Sequence, residues 1–400
     1  MSKAPASAVV LGLTVFLTPL IPATSMFGFE QIKVLFFIVS ITLIGFVWMR
    51  KRFKWTNISK VGWVFILILM TTSLLGVQPL PSILGAPPYF QGLILYTYFY
   101  LFYILVRESK IKLEVWSKIL VGSAILVSFI AIRDWVFVNL LVQNVSLYAG
   151  RVVSTFGQPN FYAGFLLLTL PFTYRLGKYG WLWGLILVVG ILVSYSRSAV
   201  LLALTLMILG LIYQLKIKYK LGGIILGTVL LSIYIAWKLS SGIVGNEINN
   251  PIANINPDLT KESVEKRVYI LPLSFHIASD RLFTGFGLEN IPVSFSNYFN
   301  ENKHVLFEEN LSIKPFLFGL KDTYIDRTHN YFLDVLMFSG ILGLVSYLVL
   351  VLLLLKKSFK TFFFLPLLIY LIWVQFQNQS IVHLMFFWFL AGLIDKDLKV

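Results

Sequence analysis

The stretch that decides the fold is NYFLDVLMFSGILGLVSYLVLVLLLL, residues 330–355. It is longer than the roughly 20 mostly apolar residues that an α-helix needs to cross the hydrocarbon of a bilayer. The rest of the chain has the same character, since 58% of its 400 residues are hydrophobic and only 13% are charged. A composition this apolar excludes a soluble globular protein and predicts a chain that crosses the membrane many times.

Other apolar runs in the chain have about the length of a membrane span. They lie at about 8–25, 31–49, 61–76, 89–106, 116–140, 160–175, 180–195, 198–215, 221–239, 361–377 and 380–394. With residues 330–355 they make about twelve transmembrane helices, so the sequence predicts an all-α polytopic membrane protein. Because a second span follows the first at once, we expect the first helix to be retained rather than cleaved as a signal peptide.

Short basic loops fall on alternate connections between these runs. They are MRKRFK at 49–54, RESKIK at 107–112, RLGK at 175–178, KIKYK at 216–220 and KKSFK at 356–360. With Lys60 and Lys118 beside the loops and Lys3, Lys396 and Lys399 near the ends of the chain, this side of the membrane holds 20 of the 33 basic residues. Because Lys and Arg concentrate in cytoplasmic loops, we expect both termini in the cytoplasm. The same pattern accounts for the net charge of +15 without a nucleic-acid partner.

One long connection, residues 240–328, differs from the other loops in composition. It contains 11 of the 18 acidic residues and 8 basic residues, which is typical of a mixed, solvated surface. We therefore expect helices 1–9 in residues 1–239, an extracytoplasmic loop over 240–328 and helices 10–12 in residues 329–400. Within the loop, a helix is expected to begin near Asp258 or Thr260.

Cysteine and histidine usage limits the possible cofactors. The chain has no cysteine and four histidines. This excludes a disulfide framework, a zinc ion held by cysteines and an iron–sulfur cluster. We expect neither a metal site nor another cofactor.

The segment RVVSTFGQPNFYAG, residues 151–164, precedes the sixth run and carries Arg151 and Asn160. Gly157 and Pro159 break the backbone there, and Asn160 can cap the helix that follows. Two interpretations stay open. One is a loop with a good helix start, and the other is an anion site formed by Arg151 and backbone N–H groups at a helix N-terminus.

The segment SYSRSA, residues 194–199, connects two almost contiguous runs and carries Arg197. An arginine near bilayer depth costs about 2.5–3.5 kcal/mol, so its location requires a partner or a watery cavity. The alternative is an arginine whose side chain extends to the interface.

A third polar group lies within the long loop and contains Arg267, Arg281 and FTGFGLENI at 283–291. The GFG of this sequence lacks the third glycine and the acidic residue of a dinucleotide-binding motif, so it predicts a turn. Both arginines are candidates for binding an anionic substrate.

A fourth polar group, Arg327, His329 and Asn330, opens the tenth run at the outer interface. An imidazole with an unperturbed pKa of about 6.5 can accept a proton near neutrality, so His329 is the candidate general base. The alternative is a structural histidine that caps the tenth helix. Arg327 and Asn330 are candidate substrate contacts.

Arginines therefore gather along the outer face, at Arg151, Arg197, Arg267 and Arg327. A guanidinium group binds phosphate through two hydrogen bonds at once. Several such groups beside a membrane suit a diphosphate that is attached to a lipid.

Four ordered segments carry a family resemblance. They are RVVSTFGQPNFYAGFLLLTLP from 151, YSRSAVLLAL from 195, RVYILPLSFHIASDRLFTGFGLENI from 267 and HNYFLDVLMFSGILGLV from 329. Through them the chain resembles the O-antigen ligase and O-antigen polymerase family, which are membrane glycosyltransferases of bacterial surface-polysaccharide assembly. The resemblance covers about residues 150–400.

The resemblance implies a GT-C type glycosyltransferase of the bacterial inner membrane, with its active site on the periplasmic or outer face. The implied donor is a glycan on undecaprenyl diphosphate, with no nucleotide sugar and no metal ion. By motif, Arg197 and Arg267 match family arginines that bind the diphosphate, and His329 matches the proposed general base. A single direct displacement implies inversion at the anomeric carbon.

The acceptor has three alternatives within the family. A ligase transfers the glycan to lipid A-core, a polymerase to another repeat unit, and a protein O-oligosaccharyltransferase to a serine or threonine. We favour the ligase, with the polymerase next. A multi-span transporter or flippase is an alternative of another class, but transporter sites usually lie at the midplane, whereas the polar residues here gather at one face.

Overall fold

The computed structural model describes residues 6–23, 30–48, 53–141, 147–148, 151–214, 270–300 and 324–396. The described residues are mostly α-helical, in agreement with the all-α class that the composition predicts. The helices are α1 (Ala6–Leu17), α2 (Gln31–Trp48), α3 (Asn57–Leu74), α4 (Pro79–Leu84), α5 (Leu93–Glu108), α6 (Leu113–Asn139), α7 (Pro159–Thr169), α8 (Gly180–Leu192), α9 (Arg197–Gln214), α10 (Ile270–Ser279), α11 (Ile291–Asn300), α12 (Tyr331–Ser358), α13 (Phe364–Trp373) and α14 (Ile381–Asp395). Two short strands, β1 (Leu147–Tyr148) and β2 (Arg151–Val152), pair antiparallel.

The apolar runs of the sequence correspond to helices wherever the structure describes them. The run at 221–239 lies outside the described residues, as does the expected start of a helix near Asp258 or Thr260. Among the described residues, four helical stretches are long and apolar enough to cross a membrane, by length and composition. They are Asn57–Leu74, Leu113–Asn139, Pro159–Leu192 and Tyr331–Ser358.

The chain divides into two compact units. The first unit is drawn from residues 1–14, 24–110 and 260–400, and the second from residues 15–23 and 111–259. Each unit therefore combines segments that are distant in the sequence.

In the first unit, α12 packs along α3, and α14 packs along α5. Side chains close the first turns of the first pair. Thr56 accepts a hydrogen bond from the backbone N–H of Ser59 at the start of α3, and Asn330 accepts one from Leu333 at the start of α12. These caps fix where the two long helices begin.

Asp395, the last residue of α14, ties the helix ends of the first unit together. Its carboxylate accepts hydrogen bonds from the Thr56 hydroxyl at 2.6 Å and the Tyr103 hydroxyl at 2.5 Å. Arg107 and Lys357 also lie within 3.2 Å of it. A buried carboxylate with several donors is well compensated, so Asp395 holds α3, α5, α12 and α14 in register.

In the second unit, α6 packs against α7 and α8, and α9 packs against α7 and α8. A 3₁₀ segment, Leu170–Tyr179, joins α7 to α8. The chain ahead of α7 is anchored by two hydroxyl groups. Ser154 donates to the carbonyl of Val127 at 2.9 Å, and Thr155 donates to the carbonyl of Pro19 at 2.6 Å. These bonds hold the segment that carries Arg151.

Candidate active site

A turn of the long loop docks onto a kink in α12. The kink lies at Gly340, which has φ +64° inside an otherwise helical stretch. Because the kink interrupts the helical ladder, nearby backbone groups bond the turn instead. Ile341 N donates to Leu282 O at 2.7 Å, and Phe286 N donates to Met337 O at 2.8 Å. The sequence FTGFGLENI therefore forms a turn, as predicted, and lies against the helix that follows His329.

A buried ion pair joins this turn to the loop before α12. Arg327 Nη2 lies 3.0 Å from Glu289 Oε1, and both side chains are 3% exposed. The Arg327 guanidinium lies over two rings, 4.9 Å from the centre of Tyr89 and 5.3 Å from that of Phe338. Glu289 also accepts a hydrogen bond from the backbone N–H of Gln91 at 2.7 Å. The pair therefore connects three separate segments of the chain.

The pKa values of this pair reflect its burial. Burial raises the pKa of the Glu289 carboxyl, and the Arg327 charge acts in the opposite direction. Burial acts to lower the pKa of the Arg327 guanidinium, but the carboxylates of Glu289 and Asp334 outweigh it and raise that pKa. Arg327 is therefore charged, and its charge is directed at protein carboxylates.

His329 lies between the ion pair and the start of α12. Its backbone has φ +60°, and its side chain is half-buried. The cap of α12 is Asn330, whose side-chain oxygen accepts from Leu333 N at 3.1 Å. The interpretation of His329 as the helix cap is therefore wrong, because the neighbouring asparagine fills that position.

The side-chain amide nitrogen of Asn330 also forms a hydrogen bond. Its Nδ2 donates to Gln375 Oε1 at 2.9 Å, while its Oδ1 caps α12. Asn330 therefore contacts protein groups with both ends of its side chain in this structure. Arg281, by contrast, is more accessible: its guanidinium lies 5.7 Å from the Phe286 ring and 3.4 Å from Leu75 O.

Arg197 belongs to the second unit, where it is the first residue of α9 and is exposed. The turn before it contains Tyr195, which has φ +52°. Trp135 Nε1 donates to the Tyr195 hydroxyl at 3.0 Å, and the Ser194 hydroxyl oxygen accepts from Ser196 N at 3.0 Å. These bonds hold the turn and so fix the backbone position of Arg197.

The segment ahead of α7 carries the two other predicted contacts. Arg151 lies in β2 opposite Tyr148, and its positive charge interacts electrostatically with the hydroxyl of Tyr162. Asn160 is the second residue of α7, and Gln158 occupies the N-cap position. The prediction that Asn160 caps this helix is therefore wrong, because Pro159 takes the first helical position and the N-cap lies two residues upstream of Asn160.

Arg267, the remaining predicted site residue, lies outside the described residues. Two acidic residues of the first unit were missed by the sequence reasoning. Glu289 pairs with Arg327, and Asp334 binds Thr328 beside His329. Asp334 could have been recognised from the sequence, since an acidic residue inside an apolar run of spanning length is energetically unfavourable and marks a functional position.

A family model described as O-antigen ligase matches residues 182–348. The matched stretch contains Arg197, Arg267, Arg281 and the segment from Arg327 to Asn330, whereas Arg151 and Asn160 precede it. No curated protein matches the chain. The resemblance to the O-antigen ligase and polymerase family is therefore confirmed over residues 182–348.

Proposed function

We propose that the chain is a glycosyltransferase of the O-antigen ligase type. In this proposal it transfers a glycan from undecaprenyl diphosphate to an acceptor hydroxyl on lipid A-core or a similar surface glycolipid. The observation that carries the proposal is the O-antigen ligase match over residues 182–348, which includes His329 at the start of α12.

The proposed chemistry needs one proton transfer and one displacement. The imidazole of His329 takes the proton of the acceptor hydroxyl, and the hydroxyl oxygen attacks the anomeric carbon. The bond from that carbon to the diphosphate oxygen breaks, so undecaprenyl diphosphate leaves with its electron pair. Direct displacement inverts the anomeric centre, and the step requires no metal ion and no cofactor.

Arginine side chains stabilise the charge of the departing diphosphate in this proposal. Arg197 and Arg267 bind it, because each guanidinium can offer two parallel N–H donors. Arg281, Arg151 and Asn160 are proposed as further substrate contacts. Arg327 and Asn330 are assigned a different part, since their side chains are bound to Glu289 and Gln375, and we propose that they position the loop carrying His329.

We also propose a membrane topology for the chain. Twelve spans of a GT-C type protein would place both termini in the cytoplasm, and the loop over 240–328 with the active site on the outer face of the inner membrane. The uneven distribution of basic residues supports this arrangement. Reporter fusions after Lys54, Lys220 and Lys360 should score cytoplasmic, and a fusion at Asn290 should score external. An external signal at any of the first three would contradict the topology.

The function is tested with purified protein and a defined glycan on undecaprenyl diphosphate. The acceptors are lipid A-core, a second lipid-linked repeat unit and a serine-containing peptide, each in a separate reaction. A glycosylated lipid A-core with release of undecaprenyl diphosphate supports the ligase. Elongated lipid-linked glycan would instead identify a polymerase, and a glycopeptide a protein O-oligosaccharyltransferase. Movement of intact donor across vesicles without any transfer would identify a flippase and overturn the proposal.

A further inference from the structure

His329 has an unusual backbone conformation for its residue type. Its φ of +60° lies in the left-handed region, which is uncommon for residues other than glycine. Such a conformation persists only where the surrounding structure holds it, and it occurs often at functional sites. The residues on either side of His329 supply such contacts.

Thr328, the residue before His329, contacts the residue after it through its hydroxyl group. Asn330 N donates to Thr328 Oγ1 at 3.2 Å, so the residues before and after His329 are linked directly. A link between positions 328 and 330 closes a tight turn with His329 at its centre. The turn is therefore fixed by the Thr328 side chain.

Asp334 holds Thr328 in turn. Its Oδ1 accepts hydrogen bonds from Thr328 N at 2.9 Å and from Thr328 Oγ1 at 2.8 Å. Asp334 is 3% exposed and Thr328 is fully buried, so water does not compete for these bonds. Asp334 lies in the first turn of α12. The helix therefore anchors the turn centred on His329.

We propose that Thr328 and Asp334 are positioning residues for His329. They hold its backbone in the left-handed conformation and so fix where the imidazole is presented to the acceptor. This inference rests on the proposed function of His329 as the general base. Misplacing a reacting group by about 1 Å can cost about 100-fold in rate, which gives the contacts a kinetic consequence.

The first test compares two substitutions at Thr328. Thr328→Val keeps the shape and removes the hydroxyl, whereas Thr328→Ser keeps the hydroxyl. We expect Thr328→Val to lower kcat about 10- to 100-fold with the KM for donor unchanged, and Thr328→Ser to stay within about threefold of the unaltered protein. Thr72→Val is the matched control, because the Thr72 hydroxyl is also buried but donates to a carbonyl of its own helix, Leu69 O.

The second test uses Asp334. Asp334→Asn retains Oδ1, the atom that accepts both bonds from Thr328, whereas Asp334→Leu removes it. We expect Asp334→Asn to retain most of kcat and Asp334→Leu to lose it as Thr328→Val does. Equal loss in Asp334→Asn and Asp334→Leu would mean that the charge matters rather than the contact, and would contradict the proposal.

A double-mutant cycle separates this inference from the proposed function. If Thr328 acts through His329, Thr328→Val should have no further effect when His329→Gln is present. Normal turnover of His329→Gln alone would overturn the proposed base. Low turnover of His329→Gln with normal turnover of Thr328→Val would overturn only the positioning role. If Thr328→Val and Asp334→Leu both fail to insert while Thr72→Val inserts, the contacts serve folding and the positioning role is wrong.

Discussion

Arg327 Nη2 and Glu289 Oε1 lie 3.0 Å apart, although 38 residues separate them in the sequence. The pair joins the turn that docks on the α12 kink to the loop that carries His329. Removing one partner of such a pair leaves a buried charge without compensation. The pair therefore stabilises the first unit and also holds the loop that positions the candidate base.

Glu289→Leu is expected to destabilise the protein strongly, by about 3–5 kcal/mol, because Arg327 stays charged and buried without its nearest carboxylate. The double variant Glu289→Leu with Arg327→Met should recover part of this loss, since both charges are then gone. Unfolding in detergent, followed by circular dichroism, measures the difference. Arg133→Met is the control: Arg133 also pairs with an acidic residue, Asp134, at 2.7 Å, but its side chain is 58% exposed. Arg133→Met leaves Asp134, whose side chain is 9% exposed, but water already solvates the Arg133 guanidinium, so we expect a smaller loss than in Glu289→Leu. Equal losses in the two variants would contradict the stabilising role of the buried pair.

Gly340→Ala is expected to displace the docked turn. A Cβ at this position would lie 2.5 Å from the backbone of Phe283, and φ +64° is unfavourable for alanine. We expect a lower unfolding temperature and faster proteolysis of the loop. Gly45→Ala in α2 is the matched control, because no other described atom lies within 4 Å of a Cβ there, and alanine favours a helix. Loop cleavage as slow in Gly340→Ala as in Gly45→Ala would show that the kink does not hold the turn.

Arg197→Lys is expected to lower transfer by about tenfold or more while the protein still inserts. Lysine keeps the charge but cannot offer two parallel donors to a phosphate, so binding of the departing diphosphate weakens. Initial rates with the lipid-linked donor measure the effect. Arg133→Lys, an exposed arginine of the same unit, should leave the rate unchanged. Unaltered transfer by Arg197→Lys would exclude two-point phosphate binding at this residue.

Much of the fold follows from patterns that are local in the sequence. Apolar runs predict helices because a buried backbone must satisfy its own hydrogen bonds, and the described runs are indeed helical. The turn at 283–291 was also predictable, since its glycines permit the backbone that the docked loop requires. Both features depend on neighbouring residues alone.

The site depends on relationships that the sequence does not display. Glu289 was missed because its partner Arg327 is distant in the chain, and their contact forms only when the loop folds back on α12. The helix caps were misplaced by one or two residues, at Asn160 and His329. Several polar residues adjoin each helix start, and only the backbone geometry selects the one that caps.

The role of His329 as the general base is tested most directly by the turnover of His329→Gln with purified protein, defined lipid-linked glycan and lipid A-core acceptor. Glutamine retains hydrogen-bonding capacity but cannot accept the acceptor's proton near neutral pH. Positioned proton transfer typically contributes about 100- to 10,000-fold, so we expect turnover to fall by that factor with donor binding retained. Turnover equal to that of the unaltered protein would show that His329 is not the general base.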